Sequence, residues 1–206
     1  MTADLFVSAF ITLAVVIDPA GAALVFAGLT AAAPHAARNA MALRAVAIAA
    51  ILLFAFALAG EPFLRAIGVS LDAFSIAGGG MLFLIGLDMV FETRAQRREA
   101  RAKALDLDAM ADVAVFPIAM PMIAGPGSIA AIMLLMARAQ GATQILTVFG
   151  ALALVLALAL LALLGAGRIL QWIGPRVQAV ITRLLGVILA ALATQIVIDG
   201  LKGAFG

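Results

Sequence analysis

The chain has 206 residues, of which 66% are apolar and 12% charged, with 13 basic and 11 acidic side chains and a formal net charge of +2. A soluble domain carries roughly a quarter charged residues, and a chain of this size must leave much of its surface against solvent, so a water-soluble fold is excluded and lipid is the expected solvent. The basic residues form no aromatic-interleaved patch, which argues against nucleic acid as a partner. Cys is absent and His35 is the single histidine, so no disulfide framework, no multi-His metal cluster and no cofactor are expected.

A helix needs about 20 apolar residues to cross the hydrocarbon core, and six stretches meet this, at about 5–29, 41–60, 71–91, 113–137, 143–166 and 177–200. The first lacks the basic start of a cleavable signal, carries Asp4 and runs too long, so it is expected to stay in the mature protein. Ala33-Pro34-His35 and Glu61-Pro62 read as joints, and the most polar joint, 92–112, reads as a solvated linker. The expected fold is all-α: a polytopic membrane protein with six transmembrane helices and a single membrane domain over 1–206.

Basic residues resist translocation and mark the cytoplasmic side. With the N-terminus outside, Arg38, Arg44, Arg94, Arg97, Arg98, Arg101, Lys103, Arg168, Arg176 and Arg183 gather inside, leaving only Arg65, Arg138 and Lys202 outside. Both termini are therefore expected outside, with the 92–112 linker cytoplasmic and Trp172 as an interfacial anchor.

The two halves echo one another. Ile67-Gly68 answers Ile173-Gly174, the glycines Gly78 to Gly80 answer Gly186, and Pro19 in span one answers Pro126 in span four. Three spans per half is an odd number, so repeat one (1–91) and repeat two (113–206) are expected to be inverted, a plan common among secondary transporters.

Spans one and four are interrupted mid-stretch, by Asp18-Pro19-Ala20-Gly21 and by Ala124-Gly125-Pro126-Gly127-Ser128-Ile129. Proline removes a donor and clashes with the preceding turn, so helices one and four are expected to be broken at mid-membrane. Unpaired backbone at that depth must be buried in protein or line a wet cavity. A half-helix starting at Pro19 or Pro126 aims its first N–H groups inward as an anion site. The bland alternative is a kink satisfied by neighbours. Asp18, near the midplane, is expensive to charge there; it either caps its half-helix, exchanges a proton, or holds an ammonium group. Candidate substrate-binding residues are Asp18, Pro19, Gly21, Gly125, Pro126, Gly127, Ser128, Ile129 and Gln195, with Asp18 the proton-coupling candidate. Asp88 and Asp199 lie near span ends, Thr194 and Gln195 deeper in span six. Gly186, Ala190 and Thr194 form a small-residue stripe suited to close helix packing, as does Gly78-Gly79-Gly80 in span three.

These strings resemble the MarC family of six-span membrane proteins, also described as a neutral amino acid transporter family. The resemblance runs through Asp18-Pro19-x-Gly21, through Ile76-Ala77-Gly78-Gly79 with Leu84-Ile85-Gly86-Leu87-Asp88, and through Arg183-Leu184-Leu185-Gly186 to Gln195 and Gly200. Its most specific part is Phe116-Pro117-Ile118-Ala119-Met120-Pro121 followed by Ala124 to Ile129. Where members often have an arginine before the Ile-Ala-Gly-Gly run, this chain has Ser75. The resemblance implies a cell-membrane location and movement of small neutral amino acids such as glycine and alanine.

The resulting expectation is a secondary transporter, exporter or carrier, of a small zwitterionic solute, with the bilayer as its other partner; the sequence carries no support for a homo-oligomer. An enzyme is not expected. An intramembrane hydrolase pairing Asp18 with Asp88 is opposed by depths that differ by roughly 10 to 15 Å at 1.5 Å per residue. A membrane scaffold without transport is the remaining alternative.

Overall fold

The computed structural model describes residues 2–30, 33–91, 118–119, 122–166 and 175–205. All regular structure among them is helical: α1 (Thr2–Ile17), α2 (Pro19–Leu29), α3 (His35–Ala66), α4 (Leu71–Val90), α5 (Pro126–Arg138), α6 (Gly141–Leu164) and α7 (Pro175–Phe205). Helices rich in Ala and Leu are what lipid demands, since each backbone N–H and C=O is satisfied inside its own segment. Among the described residues, five segments are long and apolar enough to span: Thr2–Leu29, which joins α1 to α2, then α3, α4, α6 and Thr182–Phe205. Mean hydropathy peaks in α6, at 2.8. The 13-residue α5 lies in the fourth expected span, 113–137. Pro117, Pro121, Trp172, Ile173-Gly174 and the 92–112 linker lie outside the described residues.

The expected joint at Glu61-Pro62 is corrected. α3 runs through Pro62 to Ala66, with Arg65 and Glu61 paired one turn apart at 2.6 Å. The turn comes six residues later, where Gly68 takes φ of 75° and Val69 N–H reaches back to the Leu64 carbonyl at 2.9 Å. This is the glycine-terminated helix end that a left-handed residue permits. Ser70 then caps α4, its hydroxyl accepting from Ala73 N–H at 3.1 Å.

α4 packs most extensively against α7, antiparallel and nearly backbone to backbone. A Cβ built on Gly79 would stand 2.7 Å from Val197 Cγ2, and one on Gly200 would stand 3.0 Å from the Asp72 carbonyl oxygen, the Ser75 Cβ and Ile76 Cγ1. Ser75 is thus a buried packing residue of this seam. Gly79, Gly186 and Ala190 make the small-residue contact expected of them, joined by Gly86, whereas Gly80 has nothing within 4 Å of its Cβ position and Thr194 is exposed and returns its hydroxyl to the Ala190 carbonyl.

The other helices form the rest of the bundle. α1 and α2 lie on α6, α3 bridges α5 and α6, and α5 sits among α3, α4 and α1. The small faces recur: Gly60 of α3 admits the Met133 side chain, and Gly78 of α4 admits Ala130 and Leu134. Seven of the 13 residues of α5, among them Gly127 and Ser128, are buried. Around this centre the bundle presents Ile51, Leu58, Leu146 and Leu161 outward, each more than 60% exposed. Such a continuous apolar exterior suits lipid and would be an aggregation surface in water.

The contacts gather Arg65, Arg138 and Lys202 near one end of the bundle. Asp72 at the start of α4 lies against Gly203, and Arg138 pairs with Asp199 at 3.2 Å. Arg38, Arg44 and Arg183, at the opposite ends of α3 and α7, fall toward the other.

Candidate functional site: two helix breaks in contact

The first break is a single residue wide. Asp18 N–H still donates to the Ala14 carbonyl at 3.0 Å, so α1 is hydrogen-bonded up to that point. Asp18 then takes φ of 52° and ψ of 69°, the left-handed conformation, and α2 starts at Pro19. Aspartate tolerates this conformation better than most side chains because its short polar group bonds locally. Here Oδ1 accepts from Gly21 N–H at 3.0 Å, and Ala22 N–H donates to the Asp18 carbonyl at 2.9 Å. Of the roles open to Asp18, capping is therefore realised. Asp18 and Pro19 are half-buried and Ala20 is exposed, so the break is reached from outside the packed core.

The second break is broader and differently finished. Residues 118–119 and 122–123 lie in wide π-type turns, and Ala124 N–H donates to the Ala119 carbonyl, five residues back, at 2.9 Å. Gly125 is extended, with φ of −80° and ψ of 169°, and Pro126 opens α5. Among the described residues no side chain caps this helix; its first internal bond runs from Ile129 N–H to the Gly125 carbonyl at 3.0 Å. Ser128 is only 2% exposed, and its hydroxyl has no hydrogen-bond partner among the described residues. Two buried residues in the first turn, Gly127 and Ser128, thus hold N–H groups that the helix does not use. The macrodipole adds partial positive charge at the same place.

The last turn of α1, just before the first break, lies against the first turn of α5. A Cβ placed on Gly127 would lie 3.4 Å from Val16 Cγ1, two residues before Asp18, and 3.6 Å from Leu82 Cδ2, while colliding with Ile85 Cδ1. An acidic break whose own helix start is satisfied thus adjoins a donor-rich break whose helix start is not. Gln195 stands apart. It is exposed on α7 and donates through Nε2 to Asp199 Oδ1 at 2.8 Å, joining the pair that Asp199 makes with Arg138.

Sequence reasoning did not single out Val16, Leu82 and Ile85, the apolar walls of this junction. Their chemistry is that of any lipid-facing or core residue, and the Leu84-Ile85-Gly86 string marked a resemblance without indicating a contact. The Arg138 to Asp199 pair was equally hidden, because its partners lie on helices far apart in the chain.

A family model described as MarC family integral membrane protein matches residues 3–205. The chain belongs to the MarC family. This MarC protein is 41% identical over 207 residues to the UPF0056 membrane protein MJ1677 of Methanocaldococcus jannaschii, covering 99% of each chain. It is 32% identical to the UPF0056 membrane protein YvbG of Bacillus subtilis, covering 100% of this chain and 98% of that one. With the UPF0056 membrane protein YhcE of Escherichia coli the identity is 30%, over 95% and 91% of the two chains. No solved structure matches the MarC chain. The family read from the broken-span strings is thus borne out over nearly the whole length, and with it the integral membrane character.

Proposed function

We propose that this MarC protein is a secondary transporter of small neutral amino acids, such as glycine or alanine, whose site lies where the two breaks adjoin. The observation that carries the reading is the approach of Gly127 to Val16, which brings two interrupted spans together inside the bundle. A zwitterion needs donors for its carboxylate and an acceptor for its ammonium. Gly127 and Ser128 N–H, with the Ser128 hydroxyl, supply the donors at an uncapped helix start. Asp18, held by Gly21 in the neighbouring break, supplies the negative charge and is the group through which a proton would be coupled. The side chains packed around the junction, Val16, Leu82 and Ile85, are apolar and favour no charged side chain on the solute.

The same reading assigns the protein to a cell membrane of inner-membrane type, as two inverted repeats with both termini outside and the 92–112 linker in the cytoplasm. The grouping of Arg38, Arg44 and Arg183 at one end supports that orientation. The test is flux of labelled glycine and alanine across liposomes containing the purified protein. Saturable flux is expected, falling by at least about tenfold in Asp18→Asn and in Ser128→Ala. Undiminished flux in the double variant overturns the assigned roles, and a protein without flux in either direction is better described as a membrane scaffold.

A further inference from the structure

Among the described spans, α7 is the least covered. Only 22% of its apolar stretch is buried, against 33% in α3, α4 and α6 and 59% in Thr2–Leu29. One face of α7, with Gly186, Ala193 and Gly200, is taken up by α4. Gln195 follows Gly186 by two and a half turns at 3.6 residues per turn, which puts it on the opposite side. On that side Leu184, Ala191, Ile198 and Phe205 recur every seven residues, with Val187, Thr194 and Leu201 three residues after the first three, and all seven are exposed. This is the repeat by which one helix seats its side chains between those of another running alongside it.

The stripe is not wholly apolar. Thr194 and Gln195 lie about 12 and 10 Å deeper along the helix than Lys202 at 1.5 Å per residue, within the hydrocarbon layer, and both are exposed. The outward faces of α3 over 47–59 and of α6 over 150–164 carry no polar side chain. Gln195 gives one amide N–H to Asp199, while its second N–H and its Oε1 have no partner among the described residues. Lipid tails offer neither a donor nor an acceptor. A carboxamide is both, so a like carboxamide at the same depth answers both needs. Two copies inserted in the same direction are related by a twofold axis along the membrane normal, which sets each residue near the axis against its own counterpart. We propose that the protein forms a parallel homodimer through the exposed face of α7, with the two Gln195 amides hydrogen-bonded across the twofold axis. Ala191, one turn away, lets the two backbones approach closely enough for the amides to reach. The proposal stands apart from the transporter reading, whose residues on α1, α2 and α5 are no part of this surface.

The chain has no cysteine, so single introduced cysteines report on their neighbours without background. Full-length Leu184→Cys, Ala191→Cys and Ile198→Cys are oxidised in liposomes over a series of falling protein-to-lipid ratios, beside Leu161→Cys on the exposed face of α6. Disulfide-linked dimers are expected from the α7 positions and not from Leu161→Cys. Energy transfer between copies carrying dyes at Leu161→Cys then measures the association itself. It is expected to weaken about fivefold on adding Gln195→Leu, which leaves the span apolar and able to insert, and at least about tenfold on adding Ala191→Phe. A protein that shows no transfer at any ratio, or that links through α6 in place of α7, overturns the proposal. Undiminished association in Gln195→Leu overturns the amide pairing. Reaction of Gln195→Cys with a membrane-impermeant thiol reagent overturns the proposal as well, because it places this face in water.

Discussion

Gly86 and Gly186 stand backbone to backbone: a Cβ on Gly86 would lie 2.9 Å from the Gly186 carbonyl oxygen, and one on Gly186 would lie 2.8 Å from that of Gly86. Between helices in lipid the attraction comes from close packing and not from release of water, so this approach is the main source of adhesion between α4 and α7.

The obstacle at Gly186 is backbone and cannot rotate aside. Gly186→Leu is therefore expected to destabilise the folded protein by about 3 kcal/mol, the upper end of overpacking effects. Gly80 has nothing within 4 Å of its Cβ position, so Gly80→Ala serves as the contrast and is expected to stabilise by roughly 0.5 to 1 kcal/mol. Thermal unfolding in a fixed detergent, read by circular dichroism, distinguishes the two; equal effects would refute the seam.

At Asp18 the cap and the charge separate by substitution. Asp18→Asn keeps an acceptor for Gly21 N–H and a side chain that tolerates the left-handed turn, so its melting temperature should stay within a few degrees of wild type while flux falls. Asp18→Ala loses the cap, worth about 0.5 to 2 kcal/mol, and places a poorly tolerated residue at φ of 52°. It is expected to melt well below Asp18→Asn. Matching melts for the two would show that the cap contributes nothing.

Gly127→Ala drives a methyl into Ile85 Cδ1. Its destabilisation, on the order of 1 to 3 kcal/mol, should be relieved by adding Ile85→Val. A double-mutant cycle on unfolding in denaturant is expected to give a coupling of about 1 kcal/mol, where distant sites would simply add.

The ion pair between Arg138 and Asp199 leaves its side chains 45% and 37% exposed. Arg138→Ala is accordingly expected to change stability by less than about 1 kcal/mol, and less still at high salt. Melts at two ionic strengths check this. A loss of several kcal/mol would mean that lipid headgroups exclude water from the pair.

The parts legible in the sequence were those carried by unusual local chemistry. Pro19 after Asp18 and Pro126 after Gly125 interrupt long apolar runs, and the chain breaks at both. Proline was misleading at residue 62, because a helix within four residues of its end absorbs the ring at the loss of a single intrahelical hydrogen bond; the stop belongs to Gly68, where positive φ is required. Composition alone could not show that Asp18 satisfies its own half-helix while α5 goes uncapped, since both sequences read as good helix starts. Gln195 illustrates the same limit: its depth in span six was readable, its turn toward Asp199 was not.

The α4 to α7 seam joins a helix from the first half of the chain to the final one. During synthesis, α4 enters the bilayer long before its mate, carrying a bare groove at Gly79 and Gly86 that lipid tails fill poorly. Closure of this seam therefore waits on delivery of α7, and a chain arrested before it would leave the glycine face of α4 unmated in the bilayer.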